Sequence, residues 1–383
     1  MQIGVIGLGT VGYGVVDILT KEKKRLEKLI GQEVVVKYGC SLDDVELPNG
    51  IIATKDYKEV INDKDIDVVV ELIGGTTIAK KIILEALEAK KHVVTANKAL
   101  IAHYGKEIYQ CANENNCHIL YEASVGGGIP VLVSQKESLV ANNTKKITGI
   151  LNGTTNFILT LMEKDNLDFN EALAIAESLG YVEANPALDL DGIDAAHKIC
   201  ILAQNGFNQF IDADKIQCNG IRSVTKKDMN YAMKFGYRIK LIAQAKKLDD
   251  GIGIDVSTSL VNKEMLVANV MDAYNVVEID TDYLENVLYY GKGAGRYVTA
   301  SAVVSDIIKT HQNDLWSHEY EDCQNVQPIT KAKYYIRCSK PIDVDYIEYY
   351  SKQDDHIYFT KEMELEDLKP LLEQDSVYFK VHG

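Results

Sequence analysis

The sequence predicts a mixed α/β protein that begins with a doubly wound parallel sheet, and three observations carry that expectation. Runs such as VVVKYG at 34–39 and DVVVELIG at 67–74 are continuously apolar rather than alternating, as strands covered on both faces must be. Helical stretches such as KKIILEALEAKK at 80–91 lie between such runs. The first strand, QIGVIGLG, runs straight into a glycine-rich turn that opens a helix at Thr10.

Further along, HVVTAN at 92–97 and HILYEASV at 118–125 read as later strands of the same sheet. From about Lys145 the pattern changes. ITGILNGTTNFILTLM at 147–162, helices around Glu171 and Ala196, and the strands GIGIDVSTSLV and NVVEID indicate a second, α+β region. GKGAGRYVTASAVVSDIIKTH at 291–311 reads as a glycine turn followed by one long helix, and YEDCQNVQP at 320–328 reads as a linker. From Ile329 onward the order is strand, strand, strand, helix, strand: KYYIRCS, DYIEYYS, HIYFTK, MELEDLKPLLEQ, SVYFKVH.

Composition narrows the function classes. At 383 residues, 46% hydrophobic and 25% charged, the chain has the makeup of a soluble globular protein with sizeable cores. A net charge of −15 argues against nucleic acid or an anionic membrane as partner, because either would be repelled. The densest basic run, KEKKRLEKL at 21–29, is interrupted by Glu22 and Glu27 and reads as a solvated helix face. The N-terminus has no basic flank or small-residue cleavage site, and no apolar run approaches the ~20 residues that span a bilayer. Seven scattered cysteines without a CxxC pair suit a reducing compartment, so a cytoplasmic location is expected.

The turn Gly7-Leu8-Gly9-Thr10-Val11-Gly12 has the context a dinucleotide fingerprint needs, between strand and helix. Gly7 permits the tight turn, Gly9 lets backbone approach a pyrophosphate, and Gly12 lets helix pack on strand. The acid that usually ends the second strand to hold the ribose is absent: Gly39-Cys40-Ser41 stands there, with Asp43 and Asp44 beyond. Lys37 and Lys55 are candidates for a 2′-phosphate, so NAD and NADP both remain open. TANK, ending at Lys98, closes another strand and places that lysine toward the nicotinamide side of the crevice. EASVGGGIP at 122–130 ends a strand in glycines that free carbonyls for a ligand or a hard cation, or form a hinge.

GYVEANPALDLDGIDAAHK at 180–198 gathers four acids and one lysine between two helices. Pro186 keeps the first part largely irregular, and a helix starts near Asp191–Asp194. Asp194 and Lys198 then stand one turn apart on one face, while His197 points about 100° away from Lys198. Glu183 and Asp189 lead in. Three carboxylates around one ammonium can hold a small amino acid and move a proton.

In this order, GLGTVG, TANK, EASVGGGIPV, GILNGTTNFIL, GYVEANPALDLDGIDAAHK and GKGAGRYVTASAVVSDI make the chain resemble the homoserine dehydrogenases over about residues 1–310. The resemblance implies a Rossmann-type NAD(P)-binding domain at 1–130, completed by about 291–318, and a substrate-binding, catalytic and dimerisation domain at 131–290. It implies that Lys198 donates the proton, that Lys98 is a second active-site lysine, that Glu183 and Asp194 hold the amino acid, and that Asp189 supports them. Cofactor contacts are implied at Gly7, Gly9, Thr10, Val11, Gly12, Lys98, Gly180 and Gly295. A monovalent cation, Na+, is implied at Glu122, Val125, Gly127 and Ile129, largely through carbonyls. Asn185 replaces the Asp commonly found before Pro186. The segment 329–383 is similar to a shortened ACT module in which the first helix and its glycine turn are not recognisable.

The implied reaction is NAD(P)-dependent interconversion of aspartate 4-semialdehyde and homoserine, by a homodimer or homotetramer. Two other readings share these residues: an oxidoreductase for a related amino acid or semialdehyde, and a cofactor-binding sensor without turnover.

Overall fold

Val68, Val69 and Val70 are all fully buried, which requires cover on both sides of one strand. The computed structural model, describing residues 1–182, 186–312, 319–342, 346–372 and 375–383, supplies that cover. Residues 1–143 give β1 (Gln2–Ile6), α1 (Thr10–Lys21), α2 (Lys23–Ile30), β2 (Val35–Cys40), β3 (Ile52–Thr54), α3 (Tyr57–Asn62), β4 (Val68–Glu71), α4 (Thr77–Glu88), β5 (His92–Thr95), α5 (Lys98–Asn115), β6 (Ile119–Leu120) and the single turn α6 (Val131–Val133). Then come β7 (Thr144–Ile150), α7 (Gly153–Lys164), α8 (Phe169–Ser178), α9 (Ala187–Leu190), α10 (Ile193–Phe207), β8 (Gln209–Phe210), β9 (Gln217–Asn219), α11 (Lys226–Lys234), β10 (Tyr237–Leu248), β11 (Gly251–Asn262), β12 (Tyr274–Thr281) and β13 (Asn286–Lys292). The last part holds α12 (Arg296–Lys309), β14 (Glu321–Asp322), β15 (Val326–Gln327), β16 (Lys331–Cys338), β17 (Ile347–Lys352), β18 (His356–Thr360), β19 (Met363–Glu364), α13 (Leu365–Leu368) and β20 (Val377–His382).

The chain divides into two compact units, one of residues 1–143, 200–214 and 291–322, the other of 144–199, 215–290 and 323–383. In the first, a parallel sheet has the order β3-β2-β1-β4-β5-β6. The order reverses between β1 and β4, so their carboxyl ends diverge there and leave a crevice for a ligand. Ile3, Val5 and Val70 pack with Val15 and Leu19 of α1 and with Val303 and Ile307 of α12. α4 and α5 pack together, and α4 lies on β4 and β5.

The second unit is built on a long sheet of order β13-β12-β7-β10-β11-β20-β16-β18-β17. Its centre is the antiparallel β10–β11 hairpin, and three short strands share the far edge of β11: β15 at Ile252, β9 at Asp255 and β20 at Ser259. The tail follows the expected succession except over MELEDLKPLLEQ, which opens with the two-residue strand β19 and is α-helical only at Leu365–Leu368; its sheet order is β20-β16-β18-β17. Among its described residues, no helix lies between β16 and β17.

Three local expectations change. HILYEASV is a strand only at Ile119–Leu120, because the Glu122 amide donates to the Asp306 carboxylate and a 3-10 turn follows. The expected linker contributes β14 and β15, each of which finds an open strand edge. The loop after Gly180 contains one helical turn, α9, because Pro186 sits at its N-cap, where a missing N–H costs nothing. No helix among the described residues is long and apolar enough to cross a membrane.

The tail is fastened to α11 by a buried ion pair. Arg337 Nε lies 2.6 Å from Asp228 Oδ1, and Asp228 also completes the capping box of α11 with Thr225. Arg337→Met strands a fully buried carboxylate and should cost about 3–5 kcal/mol in urea unfolding. Adding Asp228→Asn should recover part of that loss.

Candidate active site

The first unit supplies a cradle made of glycines. A Cβ on Gly7, whose φ is +101°, would sit 2.5 Å from the Leu72 carbonyl carbon, and one on Gly12 would sit 2.0 Å from the Gly7 oxygen. Gly9, by contrast, has nothing within 4 Å of its Cβ position, so its backbone is open to a ligand. Thr10, Val11 and Gly12 form the first turn of α1, which has neither a side-chain cap nor an acidic residue to satisfy its N–H groups. α12 starts in the same way at Gly295, and it packs so closely on α1 that a Cβ on Gly14 would meet Ala300 at 2.9 Å. These residues fit a pyrophosphate, which takes the amide donors and the positive ends of the helix dipoles.

Beside that cradle, the carboxyl ends of β4 and β5 are tied together by groups that the sequence reading did not single out. Glu71 is fully buried and accepts from the Ile73 amide at 2.9 Å and the Thr95 hydroxyl at 2.7 Å; burial pushes its carboxyl above the usual range. Asn97 donates to the Gly75 carbonyl at 2.6 Å and caps α5 through the Leu100 amide. Lys98 is therefore the first residue of α5, half-buried at the carboxyl end of β5. The Gly74-Gly75 pair after β4, both with positive φ, was the signal for this turn.

Lys37 is not available for a 2′-phosphate. Its ammonium lies 2.7 Å from Asp63 and 2.8 Å from Asp65, and hydrogen bonds to both hold its pKa well above the lysine range. Lys55 lies 2.8 Å from Asp44, with both side chains exposed.

The Glu122 carboxylate is occupied by the amides of Leu132 at 2.9 Å and Val133 at 2.7 Å, so a cation in this loop would be held by carbonyls. No group of three or more His, Cys, Asp or Glu suited to a metal occurs among the described residues. Val125 is fully buried, Ile129 nearly so, and a Cβ on Gly127 would lie 2.6 Å from the Gly293 oxygen. Burial pushes the Glu122 carboxyl up to about 7, against the pull of those amides.

The second unit holds the lysine and the described carboxylates. Lys198 Nζ donates to Asp194 Oδ2 at 2.6 Å and to the Leu151 carbonyl at 2.8 Å, with the side chain only 12% exposed. Asn275 donates to the same carbonyl at 3.0 Å. Asp189 does not touch the lysine directly. It is brought into the cluster by Asn152, whose Nδ2 donates to Asp189 at 2.6 Å and to Asp194 at 2.9 Å while its Oδ1 accepts from the Thr155 amide as the N-cap of α7. Asn152 was missed; the Asn-Gly-Thr-Thr run after an apolar strand was its signal, as an N-cap. Gly180 ends α8 with φ +75°, and the following Tyr181 stacks on Phe157 at 4.3 Å and accepts from Thr154. Glu183, and the Asn185 departure with it, lie outside the described residues.

A glycine cradle at the switch point of a parallel sheet, in a chain that also carries a shielded lysine–carboxylate cluster, defines a Rossmann-type nicotinamide-nucleotide oxidoreductase. Family models match in two stretches, "Homoserine dehydrogenase, NAD binding domain" over residues 7–122 and "Homoserine dehydrogenase" over 130–308. The chain is 46% identical over 315 residues to the homoserine dehydrogenase of Synechocystis sp., covering 80% of this chain and 72% of that one. It is 40% identical over 318 residues to the Bacillus subtilis enzyme, covering 82% and 73%. Among solved structures, a homoserine dehydrogenase from Thiobacillus denitrificans superposes with a TM-score of 0.93 at 31% identity, covering 100% of this chain and 98% of that one. A hyperthermophilic archaeal homoserine dehydrogenase mutant in complex with NADPH superposes with 0.69 at 27% identity, covering 81% and 97%. The chain belongs to the homoserine dehydrogenase family.

Two outcomes follow from this geometry. Asn152→Ala should cost about 1 kcal/mol of stability through the lost cap, and should lower kcat/KM at least tenfold because both carboxylates lose their common donor; unchanged kcat/KM would reduce Asn152 to a cap. The Glu122 pKa is raised on folding, so the folded state binds more protons between its ordinary value near 4.5 and about 7. The contribution of this group to stability should therefore fall as pH rises through that window. Thermal melts of Glu122→Gln should show a shallower decline between those limits.

Proposed function

We propose that this chain interconverts L-aspartate 4-semialdehyde and L-homoserine with NAD(P), in the supply of threonine, methionine and isoleucine, and that Lys198 handles the proton. The observation that carries this reading is the position of the Lys198 ammonium, shielded from solvent and held by Asp194 and the Leu151 carbonyl. An ammonium has three N–H donors, and these two contacts leave one for the oxygen of a substrate.

The dinucleotide would be held by Gly7, Gly9, Thr10, Val11 and Gly12, with Lys98, Gly180 and Gly295 as further contacts. When bound in its reduced form, it supplies the hydride that the aldehyde carbon accepts. As negative charge grows on the carbonyl oxygen, Lys198 stabilises that charge and gives up its proton. In the oxidation of homoserine the same nitrogen takes the hydroxyl proton back. Asp194 fixes the lysine in place, and through Asn152 it is linked to Asp189. Glu183 and Asp194 are assigned to the substrate amino acid, with Asp189 in support, since a carboxylate-rich loop complements the charge of the substrate ammonium. The carbonyls of Glu122, Val125, Gly127 and Ile129 are assigned to a monovalent cation, and 329–383 to a shortened ACT-like module. The assembly is proposed to be a cytoplasmic homodimer or homotetramer, which light scattering would measure.

The test is the absorbance of the reduced nicotinamide on mixing the protein with aspartate semialdehyde and NADH or NADPH. Loss of absorbance is expected with at least one cofactor; no loss with either, or faster turnover of another semialdehyde in the same assay, would overturn the reading. Lys198→Ala should lower kcat by about 10²–10⁴ with a smaller change in KM. Asp194→Asn combined with Lys198→Ala should be far from additive, since the two act as one unit.

A further inference from the structure

α7 buries a stripe of polar side chains. Asn152, Asn156 and Thr160 stand four residues apart, so they lie one turn above each other, and all three are buried. Asn152 serves the carboxylates of the acidic loop, whereas the other two hold the turn that leads into β12. Asn156 Nδ2 donates to the carbonyls of Val270, Asp272 and Tyr274 at 3.2, 2.9 and 3.2 Å, and the Thr160 hydroxyl accepts from the Asp272 amide at 2.9 Å. Lys240 of β10, fully buried, completes the network by donating to Asn156 Oδ1 at 3.0 Å and to the Val270 carbonyl at 2.5 Å. A Cβ on Gly153 would lie 2.9 Å from the Ala273 oxygen, so α7 starts hard against the same turn. The backbone is thereby fixed up to the peptide that precedes Asn275.

Asn275 itself is 0% exposed. Its Nδ2 donates to the Leu151 carbonyl, the oxygen that also accepts from Lys198, while its own Oδ1 is buried with no hydrogen-bond partner among the described residues. For stability this is a poor use of an amide. The Leu151 oxygen already has a donor in Lys198, and a buried acceptor left unpaired is a cost that an apolar side chain of the same shape avoids. A side chain kept at a cost to the fold has its reason elsewhere, and the group it shares an acceptor with is the lysine assigned to the proton.

We propose that Asn275 is a positioning residue for the reaction, setting the line along which the Lys198 ammonium meets the Leu151 oxygen. A carbonyl oxygen accepts best along two lone-pair directions in its own plane. With Asn275 on one of them, Lys198 is confined to the other. Asp194 holds the same nitrogen at 2.6 Å, so two of its three N–H bonds have fixed directions, and the tetrahedral geometry of the ammonium then fixes the third. That third bond is the one assigned to the substrate oxygen. Without Asn275 the lysine keeps both acceptors but can slide between the two lone pairs of Leu151, and the free N–H swings away from the line of transfer. Asn156 and Lys240 act one step further back, by fixing the backbone from which Asn275 reaches. This role rests on the proposed function of Lys198.

The test is homoserine turnover by the native chain, Asn275→Leu and Asn275→Asp, with a thermal melt of each. Both substitutions keep the approximate shape of the side chain and remove its N–H donor. In both, kcat should fall about tenfold or more while KM for homoserine moves by less than about twofold. Asn275→Leu should melt no lower than the native chain, because it also removes the unpaired acceptor. Asn156→Asp, which loses the three carbonyl contacts and keeps the one to Lys240, should lower kcat about threefold or more in the native chain and little further in Asn275→Leu, with a similar drop in the melt in both backgrounds. Additive losses of kcat would overturn the part assigned to Asn156 and Lys240. Unchanged kcat in Asn275→Leu, or losses of kcat that follow lowered melts in both Asn275 variants, would overturn the role of Asn275 while native turnover stands. No turnover by the native chain would overturn the proposed function, and this role with it.

Discussion

The proton transfer proposed for Lys198 requires that its ammonium be held still, and lysine is among the side chains that lose most freedom when ordered. The second unit holds Lys198 by giving its ammonium two acceptors of different origin. One is a carboxylate four residues back on the same helix, fixed by helical spacing; the other is the Leu151 carbonyl at the end of β7, fixed by the sheet. Neither alone sets a direction. Together they aim the nitrogen, and much around them serves to keep those two oxygens in place: Asn275 on the carbonyl, and Asn152 on the carboxylate.

Asn152 does three things with one amide. As an acceptor it starts α7, and as a donor it joins Asp189 to Asp194, which would otherwise repel each other. Two carboxylates near one another inside a protein tend to protonate one partner; a shared N–H donor favours both remaining ionised. Asn152 thus holds Asp189 and Asp194 side by side while donating to each.

Much of this was legible in the sequence, for identifiable reasons. The glycine turn was legible because each glycine has a separate steric cause at a fixed offset, and the same holds for Asp194 and Lys198, whose separation of four is a helical turn. Asn152 was not, because its partners lie 37 and 42 residues downstream and only the folded chain brings them within reach. Lys37 was misread for the same reason: Asp63 and Asp65, which occupy it, follow an intervening strand and helix. The linker at 320–328 looked structureless because two-residue strands have no periodicity, and their partners are edges that no local pattern announces.

β20 follows both β11 and β16 in the chain, yet it lies between them in the middle of the longest sheet. During vectorial synthesis, β10 and β11 can form their hairpin as soon as both have left the ribosome, because their contacts are local. The same is not true of the sheet as a whole. Until residues 377–382 emerge, β11 keeps an unpaired stretch of edge at Ser259–Val261 and β16 lacks the neighbour that joins it to β11, a state open to mispairing with other nascent chains. β20 thus joins two strands that are made before it, and its arrival closes both of those edges at once.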